Sequence, residues 1–138
     1  FCAARAQLVD EVIRPQLELG TLVLSDRYAD STLAYQGYGH GIDRAVLRKL
    51  LDFVTGGLQP DLTLLLDIEV EEGLRRRRSG GGEWNRLDDY GLQFHRRVRQ
   101  GYLEMARSEP QRWAVIDAGQ PPEAVQADLR RLIMARLA

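Results

Sequence analysis

The chain has 138 residues, of which 44% are hydrophobic and 28% are charged, and its formal net charge at pH 7 is −1. This balance is typical of one globular domain with a hydrophobic core, and it provides no basic field for nucleic acid. No apolar run approaches the ~20 residues of a membrane-spanning helix, and no secretory signal is apparent. The single cysteine, Cys2, favours a reducing cytoplasm.

The first predicted element is a helix over residues 1–19. Its apolar face consists of Leu8, Val9, Val12, Ile13 and Leu17, which recur at helical spacing. Pro15 should kink the helix because it lacks a backbone N–H, and Gly20 should end it. The sequence opens on Phe1 already in this helical pattern. We therefore expect the chain to begin inside a longer domain.

Three short apolar runs predict parallel strands buried on both faces. They cover residues 21–26, 62–67 and 113–117. Each run ends in an acid, which is Asp26, Asp67 or Asp117 in turn. Because ligands bind beyond the carboxyl ends of parallel strands, we expect a ligand crevice near these acids.

Helices are predicted between and after the strands. They cover residues 43–53, 70–78 and 89–107, and a last helix opens at residues 121–122, where proline suits the first turn. The buried face of the last helix is predicted to be Val125, Leu129, Leu132, Ile133 and Leu137. Strands that alternate with helices indicate an α/β fold with a parallel sheet.

The segment after the first predicted strand is the most informative one. Arg27 follows a strand end, where its guanidinium can pair with an anion such as a 5′-phosphate. Asp26 can contact a magnesium-bound water or hold Arg27 in place. The alternative is a surface salt bridge at a helix start. Further along, residues 35–39 offer an amide for a base edge, a ring for a sugar and glycines for close backbone approach, or simply form a turn.

A second basic segment lies at residues 75–78, where four arginines precede the glycine-rich residues 79–83. Such a segment can form a hinged loop that brings positive charge onto a transferring phosphoryl group. A run of like charges on a solvated face is the alternative. His40, His95 and Cys2 show no metal-ligand spacing.

In order along the chain, several segments are similar to bacterial thymidylate kinases. These segments are Phe1-x-x-x-Arg5-x-Gln7-Leu8, Asp26-Arg27-Tyr28-x-x-Ser31-x-x-Ala34-Tyr35-Gln36-Gly37, Arg44, Gln59-Pro60-Asp61-Leu62-Thr63 with Leu66-Asp67, Gly73-Leu74, Arg86-Leu87-Asp88 and Gly101-Tyr102-Leu103-Glu104. The resemblance implies a P-loop NTPase-type parallel sheet sandwiched by helices, the nucleoside monophosphate kinase fold. It also implies that residues 1–138 are the C-terminal part of one such domain, incomplete at the N-terminus.

The resemblance implies that the full-length protein phosphorylates dTMP to dTDP with ATP and Mg²⁺. Its dTMP site would contain Phe1, Arg5, Arg27, Ser31, Thr32, Tyr35, Gln36 and Tyr102. In that site Phe1 stacks on the thymine, while Arg5 and Gln36, with Thr32, bind its polar edge. Arg27 holds the 5′-phosphate, and Tyr35 packs under the deoxyribose. Tyr102 closes the base pocket, although its helical spacing also fits simple packing.

The family also implies a lid over the ATP phosphates at about residues 75–88. Its ATP contacts would be Arg75, Arg76, Arg78 and Arg86, and the catalytic residues would be Asp26, Arg27, Arg75 and Arg78. The family further implies a homodimer, for which the first helix and the helix over residues 43–53 are candidate surfaces.

The chain lacks the Gly-x-x-x-x-Gly-Lys-Ser/Thr loop that cradles ATP phosphates, because its only lysine, Lys49, follows an arginine. We therefore expect this chain to be inactive alone. The family's missing first strand would lie between residues 21–26 and 62–67, so those two strands should not pair directly. The alternatives are a deoxynucleoside kinase and a catalytically dead nucleotide-binding remnant.

Overall fold

A computed structural model describes residues 1–80 and 90–137. The chain divides into two compact units, Phe1–Gln59 and Pro60–Ala138. Within the described ranges, no helix has the length and apolar character needed to cross a membrane.

The first unit opens with a helix in three consecutive parts: α1 (Cys2–Leu8), a π-helical turn (Val9–Ile13) and α2 (Arg14–Glu18). The wide turn lies directly before Pro15, whose ring clashes with the carbonyl four residues earlier in a regular α-helix. The predicted helix is confirmed and has a π-helical turn that ends two residues before Pro15, while the kink stays a prediction. Only Val9 and Ile13 of the predicted apolar face are buried.

Residues 21–25 form no strand, so the first predicted strand is wrong for the described structure. Leu22 is 70% exposed and Leu24 is 89% exposed. A strand is stable only when its backbone N–H and C=O groups pair with a neighbour, and the described residues form one sheet of two other strands. The expected strand order stays a prediction.

The helix that follows was expected only in the alternative interpretation of the Arg27 segment, which placed a helix start there. It consists of α3 (Ala29–Thr32) and a second π-helical turn (Leu33–Gly39). A Cβ added at Gly37 would lie 3.1 Å from Arg44 Cγ and 3.4 Å from Leu47 Cδ1. The backbone at Gly37 therefore lies close to the next helix of the first unit, and this contact accounts for the glycine.

That next helix, α4 (Arg44–Thr55), confirms the prediction for residues 43–53. The Asp43 side chain caps it by accepting hydrogen bonds from the Ala45 and Val46 N–H groups at 2.7 and 3.0 Å. Gly56 ends it with a φ of 57°, and Arg14 donates to the carbonyls of Thr55 and Gly56 at 2.9 Å each. This arginine neutralises the negative end of the helix dipole.

The second unit contains the parallel strands β1 (Thr63–Asp67) and β2 (Trp113–Asp117). They pair in register from Thr63 opposite Trp113 to Asp67 opposite Asp117. The helices of this unit are α5 (Val70–Ser79), α6 (Leu92–Ser108) and α7 (Pro122–Leu137). Two of the three predicted strands are thus confirmed, and the α/β class with parallel pairing stands.

The core of the second unit forms where α5 and α6 pack together and α6 packs on β2. Its buried side chains include Val70, Phe94, Val98, Met105, Trp113 and Ile116, each of which contributes about 1.5–3 kcal/mol if fully buried. The predicted buried face of α7 is wrong, since this helix has no buried residue. It packs on β2, and a two-stranded sheet is too narrow to cover a helix face.

Candidate nucleotide site

Arg27 has an unusual backbone conformation, with a φ of 65°. In the described part of the chain, it is the one residue other than glycine with a positive φ. The left-handed region costs a residue with a Cβ roughly 1–2 kcal/mol, and such outliers cluster at ligand sites. The Ser25 hydroxyl donates to the Arg27 carbonyl at 3.1 Å and supports this turn.

The Arg27 side chain is held on one edge and one face. Its Nε donates to Ser31 Oγ at 3.3 Å, and its guanidinium carbon lies 4.5 Å from the centroid of the Tyr35 ring. Neither Nη group donates to an acceptor among residues 1–80 and 90–137. The structure thus brings Arg27, Ser31 and Tyr35 together. The two Nη groups of Arg27 form a planar fork of donors that matches a phosphate or a carboxylate.

Arg5 forms a second group with α3. Its Nη1 donates to Thr32 Oγ1 at 3.0 Å, and its Nη2 donates to the Tyr28 carbonyl at 3.3 Å. Thr32 is only 7% exposed, so its hydroxyl serves first to orient Arg5. The guanidinium keeps further N–H donors for a ligand. Arg5 and Thr32, two predicted base contacts, are therefore neighbours in the structure.

Tyr28 is a supporting residue that the sequence analysis did not assign. Its hydroxyl donates to the Leu58 carbonyl at 3.3 Å, and its ring lies 5.8 Å from the Arg5 guanidinium. Burial raises the pKa of the Tyr28 hydroxyl, so the neutral donor is retained. Because Tyr28 directly follows Arg27 in the Asp26-Arg27-Tyr28 segment, its supporting role could have been suspected from the sequence.

The other predicted residues of the first unit are placed differently. Phe1 is 98% exposed, so its ring packs against none of the other predicted residues. Asp26 is exposed and forms no ion pair with Arg27; Ser31 holds that arginine instead. Gln36 is half-buried, and its backbone carbonyl accepts from the Ile42 N–H at 3.0 Å.

The arginine run of residues 75–78 lies in the last two turns of α5. Arg75 donates from Nε and Nη2 to both carboxylate oxygens of Glu72 at 2.7 and 2.8 Å. Arg76 donates from Nε to the same carboxylate at 2.7 Å. The hydrogen bond from Arg75 makes the largest contribution to lowering the pKa of Glu72, and that from Arg76 makes the next largest. Together they lower this pKa to about 2.

Arg76 also connects α5 to the loop that follows β2. Its Nη1 donates to the Ala118 carbonyl at 2.8 Å, and its Nη2 donates to the Gly119 carbonyl at 3.2 Å. Arg77 is half-buried and Arg78 is exposed. The predicted lid contact Arg86, and most of the predicted lid, lie outside the described residues.

The two strand-end acids of the second unit have partners within the protein. Arg99 donates to both carboxylate oxygens of Asp67 at 2.7 and 2.9 Å, and to Glu69 at 2.7 Å. These hydrogen bonds raise the pKa of Arg99. Asp117 accepts from the Gly119 N–H at 2.7 Å. Both carboxylates therefore help to hold the loops at this edge of the sheet.

Tyr102 lies in the second unit, on α6. Its ring is 6.3 Å from the Trp113 ring and inclined at 62°, an edge-to-face contact. Its packing against β2 is thus established, while its predicted contact with a base stays a prediction.

The paired parallel strands and the helices packed on them define an α/β fold. The guanidinium groups of Arg5 and Arg27 are of a kind that suits a phosphate or a carboxylate. The sequence profile of the thymidylate kinase family matches residues 1–129. A thymidylate kinase of Desulfovibrio desulfuricans is 55% identical over 143 residues, which cover 99% of this chain and 66% of that protein. The thymidylate kinase of Roseiflexus sp. (strain RS-1) is 51% identical, covering 100% of this chain and 66% of that protein.

The chain belongs to the thymidylate kinase family. Its fold class is therefore the P-loop NTPase-type α/β fold of the nucleoside monophosphate kinases, as the sequence analysis expected. The chain spans about two thirds of the length of these relatives.

Proposed function

We propose that the protein transfers the γ-phosphoryl group of ATP to dTMP, forming dTDP and ADP. The observation that carries this proposal is Arg27, whose strained backbone and supported side chain present a guanidinium fork in a member of this family. A strained backbone at an exposed arginine has a physical rationale if the arginine binds a ligand.

In this proposal Arg27 binds the 5′-phosphate of dTMP through its two Nη groups. An oxygen of that phosphate attacks the γ-phosphorus, and the bond from phosphorus to the β,γ-bridging oxygen breaks, so the electron pair leaves with ADP. Catalysis of such a transfer depends on positioning and charge neutralisation. Ser31 and Tyr35 contribute by restricting the Arg27 guanidinium to one orientation.

The base is proposed to bind near Arg5. Thr32 and the Tyr28 carbonyl fix two edges of the Arg5 guanidinium, so its remaining donors have a defined direction toward a thymine carbonyl. Gln36 would bind the rest of the polar edge, and Phe1 would stack on the ring. Tyr102 stays a predicted dTMP contact.

For the donor nucleotide, we propose contacts from the basic end of α5, namely Arg75, Arg76 and Arg78, and from Arg86. Mg²⁺ is the expected cofactor, and it would neutralise charge on the ATP phosphates. In the described ranges no group of three or more His, Cys, Asp or Glu residues could hold a metal. We propose that the protein contacts the ion only indirectly, through a coordinated water bound by the exposed carboxylate of Asp26.

The proposed partners also include a second copy of the chain. Helix α4 exposes Val46 by 60%, Leu50 by 42% and Phe53 by 85%, and α1 packs beside it. Apolar side chains grouped in this way support a contact surface. We expect a dimer in sedimentation analysis, and Phe53→Glu should shift it to the monomer. An unchanged sedimentation profile would contradict this surface.

The phosphate-binding role of Arg27 can be tested by calorimetric titration of the full gene product with dTMP and, separately, with thymidine. Arg27→Ala should weaken dTMP binding by about 10- to 100-fold, because hydrogen bonds to a charged group are lost. Thymidine binding should be almost unchanged. Arg48→Ala is the matched control, since it removes one exposed arginine from α4 of the same unit.

The same titrations separate the proposal from a deoxynucleoside kinase, and an assay of dTDP formation separates it from a nucleotide-binding remnant. A deoxynucleoside kinase would bind thymidine at least as well as dTMP, and Arg27→Ala would affect both. A nucleotide-binding remnant would bind dTMP without turnover. Undiminished dTMP binding by the Arg27→Ala protein would refute the phosphate-binding role.

A further inference from the structure

The carboxylate of Glu72 is shared by two arginines of α5. Its Oε2 accepts from Arg75 Nε at 2.7 Å, and its Oε1 accepts from Arg75 Nη2 at 2.8 Å and from Arg76 Nε at 2.7 Å. One carboxylate thus neutralises part of a run of four basic residues. Because its pKa is lowered to about 2, Glu72 stays ionised throughout the neutral range.

The two arginines are held to different degrees. Arg76 has a second attachment, to the carbonyls of Ala118 and Gly119. In the described part of the chain, the Arg75 side chain has only Glu72 as a hydrogen-bonding partner, and it is 67% exposed against 46% for that of Arg76. Loss of the Glu72 contact would therefore release Arg75 for rotation, while Arg76 would stay attached.

A carboxylate that binds both Nε and Nη2 occupies the same fork that a phosphate uses. Resting on the proposed function, we infer that Glu72 is an internal competitor for Arg75, which a polyphosphate must displace before this arginine can bind it. In this inference Arg75 exchanges Glu72 for the polyphosphate. Arg76 keeps its contacts with the Ala118 and Gly119 carbonyls and holds the end of α5 in place. Glu72 would lower the affinity of the basic end of α5 for polyphosphate and so favour release.

The neighbouring carboxylates do not share this arrangement. Glu71 is paired with Arg96 of α6, and Glu69 is paired with Arg99. Glu71 follows Glu69 by two residues and precedes Glu72 directly on α5, yet it contacts neither Arg75 nor Arg76. Glu71→Gln therefore changes the net charge by the same amount as Glu72→Gln without releasing Arg75.

The test uses inorganic tripolyphosphate and the full gene product. Since an exposed ion pair opposes displacement only modestly, Glu72→Gln should tighten tripolyphosphate binding by about two- to fivefold. Glu71→Gln should tighten it less, by the general charge effect alone. Adding Arg75→Ala to Glu72→Gln should abolish the gain. Equal effects of the two glutamine variants, or a gain that survives Arg75→Ala, would overturn the inference.

Nitrogen-15 NMR of the arginine Nε–H groups gives a measurement on the unaltered chain. Tripolyphosphate should shift the Arg75 resonance toward its position in the Glu72→Gln variant, whereas the Arg76 resonance should move little. A larger shift at Arg76 than at Arg75 would contradict the assignment. These results do not depend on turnover of dTMP, so a failure of the proposed kinase activity would be seen separately, in the absence of dTDP formation.

Discussion

The positive φ of Arg27 leads to a prediction about stability that is independent of any ligand. Arg27→Ala and Arg27→Gly remove the same contacts, namely those with Ser31 and Tyr35. The two variants differ only in whether residue 27 carries a Cβ. Their difference in unfolding free energy therefore reports the strain at this position, offset by the flexibility that glycine adds to the unfolded chain.

The size of the difference follows from two opposing effects. A Cβ at a φ of 65° costs roughly 1–2 kcal/mol in the folded state. Glycine in turn makes the unfolded chain more flexible, which costs about 0.4–1 kcal/mol. The glycine variant should therefore be more stable than the alanine variant by about 0.8 kcal/mol, within a range of about 0–1.6 kcal/mol.

Urea unfolding of the two variants measures this difference, and Arg48 supplies the matched control. Arg48 is an exposed residue within α4, where glycine should be less stable than alanine by about 0.8–1 kcal/mol. The preference should thus change sign between the two positions. If alanine were the more stable residue at both positions, the argument that Arg27 is strained would be refuted.

Three other predictions concern the supports of each unit. Because burial raises the pKa of the Tyr28 hydroxyl, the stability that it contributes should be present below pH ~10 and lost as the pH rises above that value. Tyr28→Phe should flatten this part of the curve of unfolding free energy against pH. An unchanged curve would contradict the assignment. Arg99→Met should lower the unfolding free energy by about 1–3 kcal/mol, because it leaves Asp67 without its partner; a double-mutant cycle with Asp67→Asn should show non-additivity. Gly56→Ala should cost at least about 1 kcal/mol, since φ is 57° and the new Cβ would lie 2.6 Å from Arg14 Nη2; a variant that unfolds at the unaltered midpoint would contradict it.

Much of the fold could be predicted from the sequence because local pattern decides it. The apolar runs at residues 62–67 and 113–117 became β1 and β2, and the helical spacing over residues 43–53 became α4. Residues 21–26 have a similar pattern, but they form no strand in the described structure. A strand depends on a neighbour for its hydrogen bonds, and sequence pattern does not supply that neighbour.

The sequence provides candidate residues for the site, whose roles stay predictions, but it does not provide their geometry. The order of motifs identified Arg5, Arg27 and Thr32, yet no pattern indicates a φ of 65° at an arginine. The pairing of Arg99 with Asp67 joins residues 32 positions apart, so it too depends on the folded chain. The Glu72 contacts, in contrast, follow the i,i+3 and i,i+4 spacing of a helix and could have been read from the sequence.

The central claim is that the protein phosphorylates dTMP, and phosphorus-31 NMR of the full gene product with ATP, Mg²⁺ and dTMP tests it most directly. We predict that the dTMP signal is replaced by the two signals of dTDP as ADP forms. Arg27→Ala should slow this conversion at low dTMP by about 10- to 100-fold. If the dTMP signal were unchanged, the claim would be wrong, and phosphorylation of thymidine in a parallel sample would identify a deoxynucleoside kinase instead.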